Sequence, residues 1–197
     1  MAQSDQACFP PKGEAGEYSA EERRLLLDLA HRSIEALLRG ERVKAMAPNE
    51  HLAEKRGAFT TLHLGGRLRG CIGYVAPMLP LVQTVVETAA AAAFEDPRFD
   101  PVNEAEATHL NIEISVLTVP KAISPEEVVV GRDGLIIGQY GRRGLLLPQV
   151  SLEYGWDRET FLAQTCVKAG LPPDAWQHGA TVEAFTAEVF GEVEGKN

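Results

Sequence analysis

Positive charge, cysteine and long apolar runs are all scarce in this chain of 197 residues. Its 19 basic residues are outnumbered by 28 acidic ones, and the net charge of -9 opposes the phosphate attraction that most nucleic-acid-binding proteins use. A nucleic-acid partner is therefore disfavoured. The most apolar helical stretch, residues 79–94, is short and contains Gln83 and Glu87, so it does not predict a membrane-spanning helix.

The cysteines and histidines do not form a recognisable metal or disulfide pattern. Cys8, Cys71 and Cys166 are an odd number without a CxxC pair, and the five histidines are scattered without ligand spacing. No phosphate-loop, dinucleotide, serine-hydrolase or zinc-protease motif occurs. We therefore expect no metal and no cofactor, and a cytoplasmic protein from a reducing compartment.

The two ends of the chain differ in composition from its middle. Residues 1–17 are polar, interrupted by prolines and glycines, and without the apolar core of a signal peptide, which predicts a disordered or loosely attached leader. Residues 191–197 are expected to be a tail. Residues 18–190 are then long enough to form one compact domain with a substantial core.

Helical and strand patterns alternate along this domain. Ser19 and Glu22 form a capping-box signature before a helix that ends at Gly40. Further elements are predicted as a hairpin of 58–64 and 67–75 around Gly65-Gly66, a helix over 81–94 whose alanine run would lie close to a sheet, a strand over 110–116, a second hairpin region over 128–147, a helix from Asp157 to Ala169 and a last strand over 181–190. The mixture predicts an α+β fold with a mixed, largely antiparallel sheet flanked by helices.

The first hairpin carries the residues that most suggest chemistry. A two-residue loop would pair Leu62 with Arg69 and Thr60 with Cys71 across the two strands. The strand period of two would then place Arg67, Arg69 and Cys71 on one face. Guanidinium groups beside a thiol favour the reactive thiolate, so Cys71 is a candidate nucleophile.

The same stretch also has a purely structural explanation. Gly70 and Gly73 leave room for a ligand or for another backbone, and a free cysteine is often a small core residue. In the predicted register His63 falls on the face opposite to Cys71, so no general base lies near the thiol. Both interpretations remain open at this point.

The loop "EDPRF" follows the second long helix and places three charges at its carboxyl end. Glu95 and Asp96 are unfavourably placed there relative to the helix dipole, which favours a cationic partner. Asp96 could form a structural ion pair with an arginine of the first hairpin, or Arg98 could face an anionic ligand. We favour the structural pair, because loop charges commonly pair with one another.

Several motifs together resemble the AMMECR family, specifically its bacterial and archaeal AmmeMemoRadiSam system protein A members. The matching stretches are "LRGCIG" (68–73), "AFEDPRF" (93–99), "IEISVLT" (112–118), "RGLLLPQV" (143–150), "GWD" (155–157) and "KAGLP" (168–172). The resemblance implies an α+β fold of two lobes, with a smaller strand-rich lobe and "LRGCIG" lining a cleft. It also implies gene association with a Memo-type protein and a radical S-adenosylmethionine protein, but no established reaction.

Two functional hypotheses follow. In the first, the protein is a cytoplasmic accessory or ligand-binding protein that acts with those partners, and Arg69 and Arg98 hold a small anionic ligand over Cys71. In the second, it is a thiol-dependent enzyme in which Cys71 is the nucleophile and Glu95 or Asp96 assists proton transfer. The sequence predicts neither the ligand nor the oligomeric state.

Overall fold

A computed structural model describes residues 16–192 and divides them into two compact units. The larger unit contains residues 16–117 and 188–192, and the smaller contains residues 118–187. Most of the predicted leader and tail, including Cys8, lies outside the described residues. Among the described residues, no helix combines the length and hydrophobicity that crossing a bilayer requires.

Helices and strands confirm the predicted α+β fold. In chain order the elements are α1 (Ala20–Leu38), α2 (Glu50–Ala53), β1 (Ala58–Leu64), β2 (Arg67–Tyr74), α3 (Leu81–Phe94), α4 (Glu104–Ala107), β3 (Leu110–Leu117), β4 (Lys121–Ala122), β5 (Gly134–Gln139), β6 (Arg142–Leu146), α5 (Pro148–Glu153), α6 (Arg158–Lys168), β7 (Thr181–Phe185) and β8 (Ala187–Gly191). The strands form two sheets, ordered β2-β1-β3-β8 in the larger unit and β4-β7-β5-β6 in the smaller.

In the larger unit, one face of the sheet is covered by α3, which packs in turn on α1. Thr60 of β1 and Thr88 of α3 share a buried hydrogen bond of 2.8 Å, and Ser33 Oγ of α1 donates to the Val86 carbonyl at 2.7 Å. Four of the five alanines of α3, Ala89, Ala91, Ala92 and Ala93, are buried, and their small side chains let the helix axis approach the strands. The predicted packing of the alanine run against a sheet is therefore confirmed.

The predicted last strand is wrong in one respect: it consists of two strands in different sheets. The break falls at Thr186, whose backbone N–H donates to Thr118 Oγ1 at 2.8 Å and whose carbonyl accepts from Thr118 N–H at 2.9 Å. This local exchange of hydrogen bonds replaces the ladder, so β7 ends in the sheet of the smaller unit and β8 begins in the sheet of the larger one.

The hairpin between β5 and β6 turns through two residues in left-handed conformation. Tyr140 has φ of 52° and Gly141 has φ of 77°, as a type I′ turn requires. Glycine adopts this conformation freely, whereas tyrosine is strained there. Tyr140 is 90% exposed, so no packing of its side chain offsets the strain.

Replacing Tyr140 by asparagine is therefore expected to stabilise the protein. Asparagine tolerates the left-handed conformation, and Asn-Gly is the preferred sequence of this turn, so the gain should be about 1 kcal/mol. Urea unfolding of both proteins measures it, with Tyr140→Ala as the control that removes the tyrosine side chain without supplying a residue that tolerates the left-handed conformation. Equal or lower stability of Tyr140→Asn would show that the turn carries no strain.

Candidate functional site

The first hairpin contains a β-bulge. The predicted pairing assumed a regular ladder beyond the two-residue loop and did not include it. The register shifts next to Leu62, which lies opposite Gly70 instead of the predicted Arg69. Arg69 is the extra residue of the bulge, where two residues of β2 oppose one of β1. Because a one-residue slip moves the following side chains to the other face, the predicted common face of Arg67, Arg69 and Cys71 is wrong.

Cys71 instead shares a sheet face with polar side chains from the neighbouring strands. It lies opposite Thr61, not the predicted Thr60, and Thr61 Oγ1 donates a hydrogen bond to Cys71 Sγ at 3.3 Å. Thr61 also lies opposite Glu113 of β3, and His63, two residues further along β1, lies on the same side. The bulge thus overturns the prediction that His63 and Cys71 lie on opposite faces. We call Thr61, His63, Cys71 and Glu113 the Cys71 face.

The Cys71 face combines a thiol, a hydroxyl, an imidazole and a carboxyl group. All four side chains are partly exposed. Burial raises the pKa of Glu113, and the nearby His63 partly offsets this increase. A carboxyl group that retains its proton more strongly is suited to donating a hydrogen bond. In the part of the chain that the structure describes, no group of three metal-ligating side chains is arranged to hold a metal ion.

The outer edge of β2 is occupied by the loop that follows α3. The Cys71 N–H donates to Asp96 Oδ2 at 2.9 Å, and Arg98 Nη2 donates to the Cys71 carbonyl at 3.4 Å. These two side chains satisfy the backbone groups that an adjacent strand would otherwise bind. The loop "EDPRF" is therefore fixed to the backbone of "LRGCIG", and the two motifs form one structure.

Asp96 accepts the hydrogen bonds that hold this loop against β2. Its side chain is only 2% exposed, and it accepts hydrogen bonds from the Arg98 side chain at 2.6 and 2.9 Å and from the Arg98 backbone at 3.1 Å. Arg98 foremost, with help from the Cys71 N–H, holds the pKa of Asp96 well below its ordinary value. The partner of Asp96 is thus Arg98, not an arginine of the first hairpin, and the fully bonded carboxylate is a poor group for proton transfer.

Two guanidinium groups lie close to the ring of Phe99. The Arg98 guanidinium carbon is 5.4 Å and that of Arg69 is 5.9 Å from the centre of the Phe99 ring. Arg69 donates two hydrogen bonds of 3.0 Å to Glu106, which lowers the pKa of that carboxyl. We call Arg69, Asp96, Arg98, Phe99 and Glu106 the edge cluster.

The two arginines of the edge cluster differ in exposure. The Arg69 side chain is 13% exposed, and its Nη1 is buried without a hydrogen-bond partner among the described residues. The Arg98 side chain is 53% exposed, although its Nε and Nη2 are bound to Asp96. Of these two arginines, Arg98 is therefore the one that presents a held guanidinium group to a ligand in solution.

Two other predicted site residues lie apart from these groups. Arg67 is exposed at the far end of β2, four residues and about 13 Å of strand from Cys71. Glu95 is exposed at the carboxyl end of α3. The structure assigns neither of them a hydrogen bond to the edge cluster or to the Cys71 face among the described residues.

Packing explains the two glycines of the motif. A Cβ atom on Gly70 would overlap the backbone carbonyl oxygen of Ala92 in α3, and one on Gly73 would overlap the ring of Phe59. Of the two predicted alternatives, Gly70 therefore makes room for another backbone rather than for a ligand. Gly73 accommodates a neighbouring aromatic side chain.

The chain also matches known proteins over most of its length. The family model AMMECR1 matches residues 27–190. The chain belongs to the AMMECR1 family. An archaeal protein from Thermococcus onnurineus is 47% identical over 197 aligned positions, with 92% of each chain covered. Protein MJ0810 of Methanocaldococcus jannaschii is 45% identical, covering 88% of this chain and 92% of its own.

A solved structure supports the fold of this AMMECR1-family protein. The crystal structure of the uncharacterized protein PH0010 from Pyrococcus horikoshii matches with a TM-score of 0.73 at 46% identity. The match covers 85% of this chain and 90% of PH0010. The names of these relatives state no activity.

Several residues of the site were not predicted from the sequence. Thr61 and Glu113 are brought to Cys71 by strand pairing, and Glu106 reaches Arg69 from α4. Glu113 could have been noticed in the sequence, because it is a carboxylate within the largely apolar strand β3. Phe99 belongs to the "EDPRF" motif, but no local pattern predicts its proximity to Arg69, 30 positions earlier in the chain.

Proposed function

We propose that this AMMECR1-family protein is a cytoplasmic accessory protein that binds a small anionic ligand through Arg98. Its proposed partners are a Memo-type protein and a radical S-adenosylmethionine protein of the AmmeMemoRadiSam system. In this proposal "LRGCIG" supplies the rigid edge on which the binding loop is mounted. The ligand class is a phosphate or carboxylate group, which matches the planar donor arrangement of guanidinium.

The observation that carries the proposal is the way in which Arg98 is held. Hydrogen bonds to Asp96 and to the Cys71 carbonyl, together with the Phe99 ring, fix its position while half of the side chain remains exposed. A guanidinium group that is already ordered loses little conformational entropy when a ligand binds. Asp96 is therefore a positioning residue, and Arg98 is the residue that contacts the ligand.

We propose a role for Arg69 that differs from the predicted contact with the anionic ligand. Its guanidinium group is bound bidentately by Glu106 and is largely buried, so direct contact with a ligand would require breaking a shielded ion pair. Its guanidinium carbon lies 5.9 Å from the centre of the Phe99 ring, which belongs to the binding loop. We therefore propose that Arg69 supports the binding loop.

Isothermal titration calorimetry with inorganic phosphate tests the proposal. Because Arg98→Gln alone would leave the Asp96 carboxylate buried without its cation, the test variant is Asp96→Asn/Arg98→Gln, which removes both charges. We expect at least a tenfold loss of phosphate affinity. Arg24→Gln, an exposed arginine of α1 in the same unit, is the control and should bind as the wild type does.

The same variants test the partnership. The Memo-type protein of the same organism should bind the wild type and the Arg24→Gln control equally. Unchanged phosphate affinity in Asp96→Asn/Arg98→Gln would refute the anion site. Absence of any complex with the Memo-type protein would refute the partnership alone.

The position of His63 on the same sheet face as Cys71 favours a second function. The Cys71 face places an imidazole and a hydroxyl donor on the side of the thiol, which the predicted register did not. In this thiol-dependent enzyme Cys71 would be the nucleophile, with His63 as the base in place of Glu95 or Asp96. Thr61 would stabilise the thiolate by its hydrogen bond.

The rate of Cys71 alkylation by iodoacetamide as a function of pH decides this second function. Activation predicts a midpoint below the free-thiol value of about 8.5, and His63→Gln should move the midpoint upward. Peptide mapping separates Cys71 from Cys8 and from the buried Cys166. A midpoint at or above about 8.5 that does not respond to His63→Gln would exclude an activated thiol.

A further inference from the structure

An apolar groove lies at the end of β2, beside the edge cluster but separate from it. The groove encloses about 540 Å³ and is lined by Gly73, Tyr74, Val75, Ala76, Met78, Leu79 and Thr84. Met78 is 71% and Tyr74 is 40% exposed, which is unusual for two large apolar side chains on adjoining surface. The groove therefore has the character of a binding surface.

The strand edge beside this groove is open. The loop side chains bind the Cys71 backbone, and Gly73 is the next residue of β2 whose N–H and C=O point away from β1. The structure gives these two groups of Gly73 no partner among residues 16–192. A short extended peptide could bind there by strand addition and place a side chain in the groove.

The groove has an acidic rim on the side of α3, where Glu87 lies one helical turn after the groove residue Thr84. Burial raises the pKa of Tyr74, and the negative charges of Glu87 and Glu95 raise it further. Glu95 is exposed at the end of α3. The peptide that fits this surface therefore combines an apolar residue with a nearby cation.

The described chain begins close to the groove. The Glu17 carboxylate is hydrogen-bonded to the Arg56 guanidinium group. The Arg56 backbone is hydrogen-bonded to two residues of the groove. Its N–H donates to the Leu79 carbonyl at 3.3 Å, and its own carbonyl accepts from Thr84 Oγ1 at 3.1 Å. Residues 1–15 are therefore joined to the described chain at a point near the groove.

We propose that the amino-terminal segment Cys8-Phe9-Pro10-Pro11-Lys12 binds in this groove, with Phe9 in the apolar cavity and Lys12 at the acidic rim. Phe9 precedes Glu17 by eight positions, enough to span about 26 Å when extended. The two prolines limit the conformations that binding has to restrict. This inference is independent of the anion site, because it concerns a different surface.

Disulfide trapping in the full-length protein tests this proposal, because Cys8 adjoins Phe9. The test variant is Met78→Cys and the control is Asp28→Cys on α1, both in a Cys71→Ser background. Asp28 is 67% exposed and nearer to Cys8 in sequence, so an unbound segment would reach it at least as often. In oxidised glutathione, we expect the intramolecular disulfide with position 78 to form at least tenfold faster than that with position 28.

Phe9→Ala supplies the decisive comparison. In the Met78→Cys variant it should reduce the rate of trapping to that of the Asp28→Cys control, because the apolar anchor is lost. Equal trapping at the two positions, or no effect of Phe9→Ala, would overturn the proposal. Disulfides that form between two molecules instead would assign the groove to a second copy and would also overturn it.

Discussion

Replacing Gly70 by alanine is expected to cause one of the largest losses of stability among all substitutions that add a single methyl group to this protein. The added Cβ would overlap the Ala92 carbonyl oxygen, which belongs to the backbone of α3 and cannot turn aside as a side chain can. The helix and strand would have to separate, and overpacking of this kind costs about 3 kcal/mol. Urea unfolding monitored by circular dichroism measures the loss.

Gly65→Ala is the matched control in the turn of the same hairpin. Nothing lies within 4 Å of a Cβ atom there, but its φ of 57° strains an alanine. The expected cost is therefore about 1 kcal/mol, from backbone strain alone. A smaller loss for Gly70→Ala than for Gly65→Ala would contradict the proposed contact between the motif and α3.

Replacing Arg98 by alanine is expected to cost about 2 kcal/mol at neutral pH, because it leaves the buried Asp96 carboxylate without its cation. Half of the Arg98 side chain is exposed, which keeps the cost below that of breaking a fully buried pair. The Cys71 and Arg98 backbone N–H groups still donate to Asp96. Thermal unfolding measures the loss, and Asp96→Asn/Arg98→Ala should recover part of it by removing the charge.

The pH dependence of this loss follows from the direction of the Asp96 shift. Because the pKa of Asp96 is lowered in the folded protein, its contribution is present above the unfolded value of about 3.9 and is lost as the pH falls through the folded pKa. In Arg98→Ala the carboxyl takes up a proton at higher pH. The wild type and the variant should therefore differ most above about pH 5 and converge in acid. A difference that stays constant from neutral to acidic pH would show that Asp96 is not stabilised by Arg98.

Most of the secondary structure could be predicted because it depends on local patterns. The capping box of Ser19 and Glu22 begins α1, and the side chain of Asp157 caps α6. Alternating apolar residues identified β3, and Gly65-Gly66 identified the first turn. Each of these signals lies within a few residues of the feature that it specifies.

The site could be predicted only in part, because it depends on contacts between distant segments. The bulge at Arg69 is stabilised by Glu106, 37 residues away, and no local pattern contains that partner. Because of that one extra residue, Cys71 lies opposite Thr61 and on the same face of the sheet as His63. The charged loop at Asp96 was recognised, but its attachment to the Cys71 backbone required the fold.

Nuclear magnetic resonance of arginine side chains tests whether Arg98 is an ordered anion-binding group on the edge of β2. Titration of the full-length protein with inorganic phosphate should shift the Arg98 guanidinium signals saturably and leave those of exposed Arg24 unchanged. If the Arg98 signals do not move, or if both arginines move equally without saturation, Arg98 is not the anion site.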